Sequence, residues 1–165
     1  MLLDKKLIAD SNEPALKEHQ RKFNFSAESI SNTEEIIKKL MAFQVAIPSW
    51  ALGTGGTRFG RFPGAGEPGS LEEKIEDVGL LHALNNSSGA ISLHIPWDIP
   101  ADANAIKKLA AQHGLLFDAV NSNTFQNQPN QKESYKFGSV QHVDKAVRKQ
   151  AIEHNIDVIK HGVAL

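Results

Sequence analysis

The run Ser92-Leu93-His94-Ile95-Pro96-Trp97-Asp98 places an imidazole, an indole and a carboxylate close together at the end of an apolar, β-branched stretch. Histidine exchanges protons near neutral pH, and a neighbouring carboxylate can fix which ring nitrogen carries the proton. His94 is therefore a candidate catalytic acid or base, with Asp98 as the group that orients it. The same run also fits a histidine packed for stability alone, and the residues themselves leave both readings open. Trp50 ends an earlier apolar stretch much as Trp97 ends this one. Two indoles at such positions can be core, or can wall a ligand pocket.

Trp50 stands near the start of the segment 47–68, IPSWALGTGGTRFGRFPGAGEP, in which glycines 53, 55, 56, 60, 64 and 66 alternate with Arg58, Phe59, Arg61 and Phe62. A connection this long in a compact domain is usually functional or disordered. Bulky side chains on permissive backbone favour a positioned loop, and a plain flexible linker is the alternative. Residues 64–69 satisfy G-x-G-x-x-G, yet Arg61-Phe62-Pro63 stands where the dinucleotide fingerprint needs a strand, and Glu67 would repel a pyrophosphate. Nucleotide binding is not expected. His82, His113, His142, His154 and His161 show no metal-ligand spacing. Asn121 and Asn123, beyond a third apolar stretch, can bond ligand hydroxyls or build loop turns.

The elements that must carry these groups follow from periodicity. Ser31 and Glu34 have capping-box spacing ahead of Ile36, Ile37, Leu40 and Met41, which predicts a helix to about Phe43. Residues 45–51 read as a first strand whose pairing Pro48 leaves incomplete. Ser70 and Glu73 form a second capping box before Leu71, Ile75, Val78, Leu81 and Leu84 on one helical stripe. Residues 90–95 read as a second strand. Pro100 opens a helix with Ile106, Leu109 and Ala110 inward and Gly114 as its stop. Residues 115–120 read as a third strand, and after a polar loop over 122–143 Asp144 caps a final helix. Strands alternating with helices predict an α/β class with a parallel sheet, whose working groups follow the strands. The expected division is an amino-terminal helical extension over 1–30 and a βα region over 31–165. The chain ends inside an apolar helical pattern without a cap, so truncation is expected.

Eighteen Lys and Arg against nineteen Asp and Glu leave a net charge of −1 over 165 residues. No cationic surplus is available to neutralise a nucleic acid or an anionic membrane, so neither is an expected partner. The absence of cysteine removes disulfides, thiolate metal sites and thiol nucleophiles. Asp4, Lys5, Lys6 and Asp10 interrupt the first ten residues, which matches neither a signal peptide nor a membrane span and makes a cytoplasmic location the expectation. Asn-x-Ser matches at Asn24, Asn85 and Asn86 are read as chance.

Taken together, the 47–68 loop, the SLHIPWD run and the later VDKAVRKQAIEHNIDVI resemble L-rhamnose isomerase of the broad-specificity bacterial type, over about residues 33–165. The resemblance implies a (β/α)8 TIM barrel related to xylose isomerases, of which this chain would hold the first three βα units. It also implies a homotetramer interconverting an aldose and a ketose with divalent metals, often manganese. By the same resemblance His94 matches the histidine that contacts the sugar ring oxygen, Trp50 an apolar pocket wall, and Phe59 a loop aromatic that covers a neighbouring subunit's site. The family's metal ligands belong to later strands, so none is expected in this chain, which alone should be inactive. A barrel of this type takes roughly 250 residues. Two alternatives stand beside this reading: an isomerase or epimerase of another sugar on the same barrel, and a non-catalytic interaction or oligomerisation module.

Overall fold

A computed structural model describes residues 4–27, 32–53, 64–128 and 130–165. The chain opens on helix α1, Lys5–Ala27, with Pro14 inside it. It docks through buried Ile8 and through the Asn12 side-chain amide, which donates to the Leu84 carbonyl at 3.0 Å. The second helix, α2, spans Thr33–Met41 and buries none of its residues. Its cap position belongs to Asn32, at φ 94° and without a side-chain cap, while Ser31 of the expected capping box lies outside the described residues.

Three parallel strands follow, hydrogen-bonded in the order β1 (Ala46–Pro48), β2 (Ala90–Ile95) and β3 (Leu116–Ser122). The first strand is shorter than 45–51. Pro48, opposite Ser92, has no N–H to extend the ladder, and Ser49–Ala51 turn into a single 3-10 turn. Strand β2 occupies the expected residues. β3 starts one residue late because the Leu115 N–H bonds the Ala110 carbonyl at 2.9 Å, closing the preceding helix around Gly114 at φ +69°. An extra residue enters β3 between the pairs Ile91–Phe117 and Leu93–Val120, after which His94 pairs Asn121 and Ile95 pairs Ser122.

The connecting helices start where their caps are strongest. α3, Leu71–Asn85, begins at Ser70, whose hydroxyl accepts from Glu73 N–H at 3.2 Å, while the Glu73 carboxylate returns to Gly69 N–H at 2.5 Å. For α4, Ala103–Gln112, the cap is Asp102, accepting from Asn104 and Ala105 N–H, so Pro100 precedes the helix rather than opening it. Asp144 caps α5, Lys145–Ala164, by accepting from Ala146 N–H at 2.8 Å. Leu71, Ile75 and Val78 of α3 pack with Ile91 and Leu93 of β2, Ile106 and Ala110 of α4, and Leu115. Burying one such side chain contributes about 1.5–3 kcal/mol. That shared core fixes α3 and α4 against one face of the sheet. The class is α/β, with a small parallel sheet and five α-helices among the described residues.

The polar loop 122–143 is fastened rather than loose. Gln150 of α5 exchanges two hydrogen bonds with the Glu133 main chain, at 2.8 and 2.9 Å, and Tyr135 buries itself against Val147 and Ala151. Among the described residues, no helix is long and apolar enough to cross a membrane.

Candidate functional site

The carboxyl ends of the three strands bring the candidate residues together. Trp50 lies in the turn that ends β1, His94 near the end of β2, and Trp97 and Asp98 in the turn after it. The His94 ring sits edge-on to Trp50 and Trp97, with centroids 5.2 and 4.6 Å away, and stacks on Phe125 at 5.9 Å. His94 is 5% exposed, whereas Trp50 is 37% and Phe125 is 55% exposed. The aromatic shell thus has a covered inner side and an open outer side. Phe59 lies outside the described residues.

Asp98 does not do what its spacing from His94 suggests. Its carboxylate is wholly buried and meets three donors: the Lys74 ammonium at 2.7 Å, the Ser49 hydroxyl, and the main-chain N–H of His94 at 2.6 Å. The four-residue turn is closed in return by Asp98 N–H on the His94 carbonyl at 3.0 Å. Asp98 therefore grips the backbone of His94, and the expectation that it bonds the imidazole is corrected. A carboxylate folded back onto the N–H four residues earlier cannot also stand beside the ring at hydrogen-bond distance in this rotamer. Asp98 holds the His94 main chain in place. It ties the end of β1 through Ser49, the end of β2 through His94, and α3 through Lys74.

Lys74 is the residue that sequence reading missed, although a signal was present. It lies three residues after Leu71 and four before Val78, on the stripe that α3 buries, and it is 3% exposed. A lysine there needs an anion, since an unpaired buried ammonium is strongly disfavoured. Phe125 was missed too. It stands in a turn closed by Gln128, whose side-chain N–H donates to the Asn123 carbonyl at 2.5 Å.

Both ring nitrogens of His94 are buried without a hydrogen-bond partner among the described residues. Burial among the aromatics pushes its pKa below the ordinary 6.5; the Asp98 charge pulls upward in partial opposition, and Lys74 and His154 push down further. Burial thus favours the neutral imidazole, which has one N–H to give and one lone pair to accept. His154 is also held below its ordinary value, first by burial, against the pull of Asp157. Asn121 pairs with His94 in the sheet, and Asn123 is fully buried one step beyond the end of β3. Among the described residues, no group of three His, Cys, Asp or Glu side chains could hold a metal ion. The Asp98 oxygens are already taken by Lys74, Ser49 and the His94 N–H. These residues do not make a metal centre.

No family model matches the chain. It is similar to two curated proteins, each called a probable sugar isomerase. It is 53% identical over 127 residues to one from Rhizobium meliloti, covering 77% of this chain and 30% of that protein. It is 53% identical over 132 residues to one from Mesorhizobium japonicum, covering 80% of this chain and 30% of that protein. The chain thus spans about 30% of the length of the curated relatives it matches.

Two outcomes follow from the geometry. Lys74→Met leaves the Asp98 charge buried with one donor fewer, and should cost about 3–5 kcal/mol in urea unfolding, against about 1 kcal/mol for Ser49→Ala. Equal small losses from both would contradict the ion pair as the anchor. The second outcome concerns pH. His94 and His154 have depressed pKa values in the folded chain, so below about 6.5 the unfolded chain binds protons that the folded chain does not. Stability should be level above pH 7, fall as pH drops through about 6.5, and level again below the folded-state pKa values. His94→Gln should reduce that slope, which urea midpoints between pH 8 and 5 would measure; an unchanged slope in the variant would contradict it.

Proposed function

We propose that this chain is the amino-terminal part of a sugar isomerase, supplying the substrate-facing side of an active site whose remaining residues lie outside these 165. The single observation that carries the reading is a buried His94 whose two ring nitrogens are unpaired among the described residues, inside an aromatic shell. The resemblance to proteins called probable sugar isomerases supplies the substrate class. In this reading the three parallel βα units are the first part of a (β/α)8 barrel, whose chemistry lies at the carboxyl ends of its strands. His94 and the turn residues around it sit at that end of this sheet.

Aldose–ketose isomerisation of a cyclic sugar begins with opening of the ring. A proton must reach the ring oxygen while another leaves the anomeric hydroxyl. A neutral imidazole can give its N–H proton to the ring oxygen as its other nitrogen takes one from a separate hydroxyl or water, while the anomeric hydroxyl gives its proton to a base outside these residues. Trp50 and Trp97 present flat apolar faces suited to the C–H side of a sugar. The shell also excludes water from the ring nitrogens. Asp98, Lys74 and Ser49 set where the imidazole stands without touching the sugar.

L-Rhamnose and L-rhamnulose are the proposed substrate pair, by the resemblance of the 47–68 loop and the SLHIPWD run. A divalent metal, manganese in this reading, would be held by residues outside the chain, and the protein would assemble as a tetramer in which Phe59 covers a neighbour's site. Turnover of L-rhamnose, L-lyxose and D-allose by the full-length protein tests the substrate, with L-rhamnose expected to have the highest kcat/KM. A clear preference for either other sugar would move the assignment while keeping the site. His94→Asn should lower kcat by about 10²-fold or more and remove the acidic limb of the pH profile. Wild-type activity in that variant would dismiss His94 as the ring-opening group.

A further inference from the structure

Eight buried side-chain polar atoms lack a hydrogen-bond partner among the described residues, and six belong to four residues at the ends of β2 and β3. They are both ring nitrogens of His94, the Ser122 hydroxyl, both amide atoms of Asn123, and the Gln128 carbonyl oxygen. Each orphaned buried group costs about 1–3 kcal/mol, a large part of the 5–15 kcal/mol that holds a domain together. Such a concentration marks a place that awaits a polar partner.

Asn123 is the most demanding of the four. It is fully buried, and its main-chain N–H bonds the Ile95 carbonyl at 3.2 Å, which sets it beside the end of β2. The turn it begins is closed by Gln128 and carries Phe125, the ring stacked on His94. We propose that Asn123 is a substrate-positioning residue that grips one sugar hydroxyl from both sides, its Nδ2 donating and its Oδ1 accepting. This rests on the sugar-isomerase reading and adds a residue that reads the hydroxyl pattern.

The chemistry selects the ligand class. An anion would satisfy Nδ2 and leave Oδ1 empty, and a cation would do the reverse. A hydroxyl both accepts and donates, so it gives Nδ2 and Oδ1 a partner each, and a polyhydroxylated molecule brings further hydroxyls for Ser122 and Gln128. Neither His94 nor Asn123 is open to solvent, so a covering side chain must move for entry. Phe125, stacked on His94, is already more than half exposed.

The test uses the full-length protein, with L-rhamnose and analogues lacking one hydroxyl at a time. Asn123→Leu should raise KM for L-rhamnose tenfold or more, and Asn123→Asp, which keeps the acceptors and loses the donor, should fall between it and the wild type. For one analogue, the one without the gripped hydroxyl, wild type and both variants should show the same KM. A purely structural role would instead lower activity by the same factor for every sugar, and that result, or unchanged KM throughout, overturns the proposal. If Asn123→Leu does not fold, Asn123→Asp and Asn123→Ser read out the same pattern. A wild type that isomerises none of these sugars would overturn the isomerase reading itself, an outcome distinct from an active wild type with indifferent variants.

Discussion

A carboxyl group with no solvent exposure needs donors in place of its water, and at Asp98 three of them converge. Each comes from a different part of the chain: Lys74 from α3, Ser49 from the turn after β1, and a main-chain N–H from β2. The ion pair need not add net stability over apolar residues of the same volume. What it adds is direction. An apolar contact could slide, whereas a carboxylate held on both oxygens fixes the separation of two strand ends and the helix that packs behind them.

The imidazole inherits its setting from that arrangement. Asp98 holds the His94 backbone and leaves the ring alone, so that among the described residues both ring nitrogens lack a hydrogen-bond partner. Burial then favours the uncharged form. Unpartnered buried nitrogens are costly for stability and, in the proposed function, suit a substrate rich in hydroxyls. The loop after β3 contributes in the same way. Its anchoring to α5 through Gln150 and Tyr135 holds the segment from which Phe125 reaches His94.

Much of this was legible in the residues, for identifiable reasons. The strand at 90–95 and the Ser70 and Asp144 caps were readable because apolar runs and capping spacings are local signals. The alternation of strands and helices likewise gave the parallel α/β class. The first strand was read too long because apolar residues, Trp50 and Ala51, continue past the point where Pro48 ends the ladder. His94, Asp98, Trp50 and Trp97 could be gathered as neighbours from their places at strand ends. The direction of the Asp98 side chain could not be read, since a spacing of four residues does not say whether a carboxylate meets a ring or an N–H. Lys74 was hidden because its partner lies in another element, 24 residues away. Phe59 lies outside the described residues, so its expected role rests on resemblance alone.

The most direct measurement is a crystal structure of the full-length protein with L-rhamnose bound. The account predicts a sugar oxygen within hydrogen-bond distance of a His94 ring nitrogen, with the Asp98 carboxylate still on Lys74, Ser49 and the His94 N–H. A His94 ring paired to a protein side chain, with the sugar bound elsewhere, would contradict it.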